Sequence, residues 1–203
     1  MWIKNIVALV VVIYLTACTQ AEPVYNKLSS DGVILAYGDS LTYGTGASPE
    51  NSYPTILSQL TGHTVVNAGI PGEISEHGLR RLPGLLDQHQ PELLILTHGA
   101  NDILRKLPLD KARKNLEAMV QLAQQRNIKV VMLAVPSFNV LVLNSAPFYS
   151  QVAETYKVPI DLDTLADIIG DRSLKSDRVH PNDAGYRVMA ENVFKLLKSS
   201  GAL

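Results

Sequence analysis

The chain has 203 residues, 46% of them hydrophobic and 18% charged, with a formal net charge of −1. That is material for one globular domain with a sizeable core, and it contains no basic stripe of the kind that binds nucleic acid. The single cysteine, Cys18, excludes an intrachain disulfide framework and a cysteine-rich zinc site.

The first twenty residues stand apart. Lys4 precedes an uninterrupted apolar run over 6–15, too short to span a bilayer comfortably and suited to the apolar region of a signal peptide. The run ends in Leu15-Thr16-Ala17-Cys18, which resembles the lipobox of bacterial lipoproteins. The resemblance implies removal of residues 1–17, acylation of the Cys18 thiol and its new amine, and a stable anchor made of several acyl chains. Thr19 is not the aspartate that resembles an inner-membrane retention signal. The reading is therefore a cell-envelope lipoprotein that faces the periplasm from the outer membrane. The alternative is an ordinary secretory signal cut after Ala21, which releases a soluble periplasmic protein. Residues 18–30, polar and aperiodic, read as a tether, and 31–203 as the folded domain.

From there strands and helices alternate. Residues 33–37 read as a buried strand, turned sharply at its end by Gly38-Asp39-Ser40-Leu41. Residues 42–52 are rich in Gly, Ser, Thr and Asn and read as a loop. Ile56, Leu57 and Leu60 mark a short helix over 53–60 that Gly62 ends, and 64–67 is a second strand. Asn67-Ala68-Gly69-Ile70-Pro71-Gly72 is a glycine-rich turn. Leu79, Leu82, Leu85 and Leu86 predict a helix over 74–89 that Pro83 should kink or restart. Residues 92–97 are a third strand, closed by His98-Gly99-Ala100-Asn101-Asp102. The clearest amphipathic helix spans 110–126, with Ala112, Leu116, Met119, Val120 and Ala123 on one stripe. A β-branched fourth strand over 129–135 is closed by Pro136. Beyond it, 148–157 reads as a helix, 158–162 as a short edge strand, 170–178 as a polar loop, and 181–198 as a final helix that Pro181 can initiate. Short strands alternating with helices imply a parallel sheet covered on both faces, a three-layer α/β/α sandwich.

A serine at the carboxyl end of an inner strand lies where open α/β sheets bind ligands. As a nucleophile it needs a base, a group to orient the base, and an anion trap. Of the five histidines, His63, His77 and His89 read as solvated surface, and His98, just past a strand, as a structural hydrogen-bonder or a wall of a site. His180 lies in Asp177-Arg178-Val179-His180-Pro181-Asn182. An aspartate three residues earlier can reach Nδ1, fix the tautomer and leave Nε2 free for a serine. N–H donors for an oxyanion arise at three strand ends: the backbone of Ser40, the backbone of Gly72, whose missing Cβ permits close approach, and the side-chain amide of Asn101. Taken singly, Gly72 is ordinary turn chemistry, Asn101 a helix cap and Asp177 a solvated turn residue. Their recurrence at the same end of the sheet is what those readings leave unexplained.

Together, Gly38-Asp39-Ser40-Leu41, Gly72, Gly99-x-Asn101-Asp102 and Asp177-x-x-His180 resemble the four motif blocks of the GDSL, or SGNH, hydrolases in order and approximate spacing. Residues 67–105 look especially like the bacterial periplasmic thioesterase/lysophospholipase and arylesterase branch. The resemblance covers residues 33–197. It implies a mostly parallel five-stranded sheet in the flavodoxin-like order 2-1-3-4-5, a catalytic triad of Ser40, Asp177 and His180, and an oxyanion hole made by Ser40, Gly72 and Asn101. No Gly-x-Ser-x-Gly elbow occurs, which disfavours the larger α/β-hydrolase class. No Gly-x-Gly-x-x-Gly follows the first strand, which removes a dinucleotide-binding reading. The chain departs from its nearest-looking relatives mainly between Phe138 and Ser145, a region they use near the acyl site. There the apolar run over 138–143 either continues the core or starts the next helix, or it lines an acyl groove through Phe138 and Leu141.

The expected activity is hydrolysis of aryl or short-to-medium acyl carboxylic esters through an acyl-enzyme on Ser40, with thioesters and lysophospholipids as further candidate substrates. The enzymatic alternative is an O-deacetylase of envelope polysaccharide or peptidoglycan. The non-enzymatic one is a ligand-binding lipoprotein on a hydrolase scaffold. No metal or cofactor is implied. The expected partners are a small-molecule ester and, through Cys18, a membrane; nucleic acid is not one. No feature of the sequence sets an oligomeric state.

Overall fold

Five short strands carry the domain in a computed structural model that describes residues 24–138 and 144–203. They are β1 (Ile34–Gly38), β2 (Val65–Gly69), β3 (Leu93–Thr97), β4 (Lys129–Leu133) and β5 (Ile160–Asp161), hydrogen-bonded in the order β2-β1-β3-β4-β5. Every pairing is parallel. β1 and β3 are buried at every residue, whereas the edge strands β2 and β5 are only half-buried. Inner strands covered on both faces need apolar side chains on both, and this is why 33–37 and 92–97 read as continuous apolar runs.

The helices are α1 (Ser40–Tyr43), α2 (Tyr53–Thr61), α3 (Ser75–His89), α4 (Ala100–Leu104), α5 (Leu109–Gln125), α6 (Phe148–Tyr156), α7 (Thr164–Gly170) and α8 (Asp183–Ser199). α3 packs on α5 and α5 on α6, forming one outer layer; α8 packs on α2 and α7, forming the other. The chain moves outward from β1 through β2 on one side and through β3, β4 and β5 on the other. That reversal opens a crevice at the carboxyl ends of β1 and β3. Register brings Gly38, Gly69 and Thr97 side by side there, so the loops after β1, β2 and β3 emerge together.

Several elements differ from the sequence reading. α3 runs unbroken through Pro83. A proline inside a helix costs about 3 kcal/mol, and burial of Leu82 and Leu86, at roughly 1.5–3 kcal/mol per side chain, offsets it. α8 starts at Asp183, capped by Asn182, whose Oδ1 accepts from the Gly185 N–H at 3.0 Å. Pro181 therefore lies before the helix rather than initiating it. α1, α4 and α7 span four, five and seven residues, too few turns to leave a 3.6-residue periodicity in the sequence. The last part of the expected tether lies against the domain: the Tyr25 and Leu28 N–H groups donate to Ser200 and Ala202, and the Tyr25 hydroxyl donates to the Val130 carbonyl at 2.7 Å. Among the described residues no helix is long and apolar enough to cross a membrane.

Candidate active site

Ser40 is the first residue of α1, one residue past the cap Asp39. Asp39 is fully buried. Its Oδ1 accepts from the Leu41 N–H at 3.1 Å and its Oδ2 from Asn101 Nδ2 at 3.3 Å. Burial pushes this carboxyl up, against the pull of His98, the Leu41 N–H and Asn101. The acid thus ties the turn after β1 to the one after β3. Ser40 is left half-buried at the floor of a cleft.

Across that cleft the loop before α8 supplies the imidazole. His180 Nε2 lies 3.0 Å from Ser40 Oγ, and His180 Nδ1 lies 2.7 Å from Asp177 Oδ2. An ionised carboxylate can only accept, so Nδ1 carries the proton and Nε2 presents its lone pair to the serine hydroxyl. Asp177 Oδ1 accepts from the backbone N–H groups of Val179 and His180 at 2.8 and 2.9 Å. Partial burial raises the Asp177 carboxyl, but the His180 side chain and those two N–H groups outweigh it and hold the carboxyl below its ordinary value. The turn that bonds the acid to its own backbone also aims it at the ring. Ser40, Asp177 and His180, expected as a triad, are brought together in one hydrogen-bonded chain.

The three expected oxyanion donors surround the same cavity. A pocket of about 220 Å³ is lined by Ser40, Gly72, Asn101 and His180 together with Leu104 and Phe138. Gly72 follows Pro71 in a tight turn closed by the Glu73 N–H donating to the Ile70 carbonyl at 3.1 Å. Its φ of +77° is the left-handed conformation that this turn position demands and that glycine adopts without strain. Arg105 Nη2 donates to the Gly72 carbonyl at 2.7 Å, which fixes that residue's backbone on the carbonyl side. Among the described residues neither the Ser40 nor the Gly72 N–H donates to another group of the protein. Asn101 is not the cap of α4. Gly99 holds that position, and the Asn101 amide is turned to Asp39.

Phe138 lines the pocket and has a φ of +53°, an uncommon left-handed backbone for a bulky residue. It and Leu104 also line an adjoining cavity of about 480 Å³ with Ile103, Leu107, Leu109 and Ala146. Leu141, expected beside Phe138, lies outside the described residues, as does Cys18. His98 is fully buried. Its Nε2 lies 3.2 Å from Glu73 Oε2, and its Nδ1 accepts from the Gly99 N–H at 3.1 Å. It is a structural hydrogen-bonder rather than a wall of the pocket. His77 is exposed; His63 and His89 are half-buried, and His63 Nδ1 lies 3.1 Å from the Gly32 carbonyl oxygen. Sequence reading missed Thr45, Leu104, Pro71 and Val179 as lining residues, because nothing in a short turn or a one-turn helix marks which side chains face inward. No cluster of His, Cys, Asp and Glu suited to a metal ion occurs among the described residues.

Comparison with known proteins gives the family and the fold. Residues 36–188 match the model of the GDSL-like lipase/acylhydrolase family. An arylesterase of Vibrio mimicus is 38% identical over 136 residues, 64% of each chain. The thioesterase 1/protease 1/lysophospholipase L1 of Escherichia coli strain K12 is 28% identical over 179 residues, 85% of this chain and 86% of that one. A crystal structure of TesA, 29% identical, superposes with a TM-score of 0.74 over 82% of this chain and 98% of its own. The chain belongs to the GDSL-like lipase/acylhydrolase family and is a carboxylic ester hydrolase.

Proposed function

We propose that the protein is a serine esterase for aryl and short-to-medium acyl esters, acting through an acyl-enzyme on Ser40. The observation that carries this reading is the chain Ser40 Oγ to His180 Nε2 at 3.0 Å and His180 Nδ1 to Asp177 Oδ2 at 2.7 Å. His180 Nε2 takes the hydroxyl proton as Oγ attacks the ester carbonyl carbon, and Asp177 stabilises the imidazolium that forms. The carbonyl π-electrons move onto oxygen, and the oxyanion rests on the Ser40 N–H, the Gly72 N–H and Asn101 Nδ2. As the tetrahedral species collapses, the bond to the leaving alcohol breaks and His180 returns its proton to that oxygen. Water then attacks the acyl-Ser40 carbonyl with His180 again as base, and the second collapse releases the acid and restores the serine hydroxyl. A thioester follows the same course with a thiol as leaving group, and a lysophospholipid with its glycerol oxygen.

The adjoining cavity beyond Leu104 and Phe138 supports an acyl chain several carbons long more than a bare acetyl group on a glycan. This favours acyl esterase over polysaccharide O-deacetylase chemistry. The test is purified protein lacking residues 1–18 on p-nitrophenyl esters from acetyl to palmitoyl, an acyl-CoA, a lysophospholipid and an acetylated glycan. The reading expects maximal kcat/KM on acyl chains longer than acetyl and loss of turnover in Ser40→Ala. Undiminished turnover in Ser40→Ala overturns the mechanism, and preference for the glycan overturns the substrate class. For location, Leu15-Thr16-Ala17-Cys18 supports an envelope lipoprotein. Cys18→Ser protein should then leave the membrane fraction that holds wild type; its retention there would sink the lipid anchor.

A further inference from the structure

Behind the proposed oxyanion hole lies a cluster that no step of the reaction uses. Arg81 Nε donates to both oxygens of Glu73 at 2.8 and 2.9 Å, and its Nη2 donates to Glu73 Oε2 at 2.6 Å. The same Nη2 donates to the Ala68 carbonyl at 2.8 Å and the Gly38 carbonyl at 3.2 Å. Its guanidinium lies 4.3 Å from the centre of the Tyr37 ring, whose hydroxyl donates to the Gly78 carbonyl. His98 completes the cluster. Its Nδ1 accepts from the Gly99 N–H, so the proton is on Nε2 and is donated to Glu73. The ring fits because Gly78 has no side chain: a Cβ there would lie 2.3 Å from His98 Nε2.

Side-chain exposures of 6% for Glu73, 22% for Arg81 and none for His98 make this a costly arrangement. A buried charged cluster is often no more stabilising than apolar residues of the same volume. Its connectivity is what an apolar core could not reproduce. Gly38 stands two residues before Ser40, Glu73 directly follows Gly72 and closes its turn, and Gly99 stands two residues before Asn101. Each of the three oxyanion donors is thus one or two residues from an atom that the cluster holds. We infer that Glu73, Arg81 and His98 are positioning residues that hold the donors after β1, β2 and β3 in mutual register. Their loss then weakens transition-state binding rather than substrate binding. This inference rests on the proposed oxyanion hole.

The test measures kcat, KM, the Ki of an arylboronic acid that forms a tetrahedral anion on the serine, and Tm. The variants are Glu73→Gln, His98→Leu, His98→Gln and the apolar triple Glu73→Leu/Arg81→Met/His98→Leu, with Asn101→Ala alongside. Glu73→Gln and His98→Leu should lower kcat on the order of 10–10²-fold, as misplacement of about 1 Å does, with KM moving less than about threefold. The boronate Ki should rise in proportion to the fall in kcat/KM. His98→Gln, which keeps an N–H donor toward Glu73, should recover most of what His98→Leu loses. The folded triple variant should retain Tm and still lose kcat. If the single variants lower Tm while kcat and Ki stay within about twofold of wild type, the cluster is structural only and the inference is overturned. If the triple variant fails to fold, His98→Gln decides: turnover no better than His98→Leu overturns the inference, and recovery supports it. If Asn101→Ala turns over like wild type, the oxyanion reading fails and takes this inference with it. A slow Asn101→Ala beside fast cluster variants overturns the inference alone.

Discussion

Among the described residues two imidazole–carboxylate pairs occur, and they differ in what each imidazole has left to offer. Asp177–His180 is a three-residue turn at 2.7 Å with the acid half out in solvent, and Glu73–His98 is a 3.2 Å pair in the interior. Both histidines face a carboxylate. His98, however, spends both ring nitrogens on the protein: Nε2 on Glu73 and Nδ1 on the Gly99 N–H. Its acid is further saturated by Arg81. His180 spends only Nδ1, and its Nε2 meets the serine hydroxyl. A general base needs one free lone pair within reach of the proton it removes. By that measure His180 can act on a substrate and His98 can only hold neighbouring backbone in place.

The comparison breaks first on removal of the two rings. His180→Ala should lower kcat on the order of 10⁴–10⁶-fold, far beyond the loss expected for His98→Leu; similar losses in the two variants, measured on one p-nitrophenyl ester, would erase the distinction. Asp177→Asn should cost roughly 10⁴-fold by releasing the ring from its tautomer, and a fall below tenfold would show that the acid does not orient His180. Next in size is Asn101→Ala, at about 10²–10³-fold in kcat with little change in KM if its amide is an oxyanion donor; near-wild-type turnover removes that assignment.

A smaller effect concerns stability. Burial raises the Glu73 carboxyl, but hydrogen bonds and charge from His98 and Arg81 outweigh it and hold it down to about 2, against an ordinary value of 4.5. A depressed acid stabilises the fold fully above its unfolded value, and the contribution is lost as pH falls from about 4.5 toward 2. The unfolding free energy measured in urea should therefore fall with acid across that window, with a steeper pH slope in wild type than in Glu73→Gln. Identical slopes would mean that the buried pair is not ionised as described. The smallest effect lies at the pocket mouth. Phe138→Ala should lower kcat/KM on octanoyl esters roughly tenfold while acetyl esters change less than about twofold, and equal losses on both would remove the acyl groove.

Local chemistry made much of this legible from residue order alone. Strand and helix alternation follows from apolar periodicity, and the buried inner strands from runs with no polar partner face. Asp177-x-x-His180 works within one turn, so its geometry is written in four consecutive residues. The turn after β1 is set by Asp39 accepting from the Leu41 N–H two residues on. Short helices were invisible for the opposite reason: α1 is held by its Asp39 cap, and α4 and α7 by the core they touch, not by a repeating stripe. The restart expected at Pro83 does not occur, because propensity is a local cost that buried leucines outweigh.

The tertiary structure alone decided which distant groups meet. Ser40 and His180 lie 140 positions apart, and their 3.0 Å contact exists because the loop before α8 comes back beside β1, where the first turn of α8 is tied down by the Tyr186 hydroxyl donating to the Thr45 carbonyl at 2.9 Å. Parallel register places the loops carrying Ser40, Gly72 and Asn101 at one end of the sheet. The interior decided the role of His98, since a histidine after a strand reads the same whether its lone pair is free or already taken. Residue order singled out the candidate reacting groups because reactivity begins in side-chain type and short-range geometry. Packing determined which of them are available, because availability depends on what else occupies the same few ångströms.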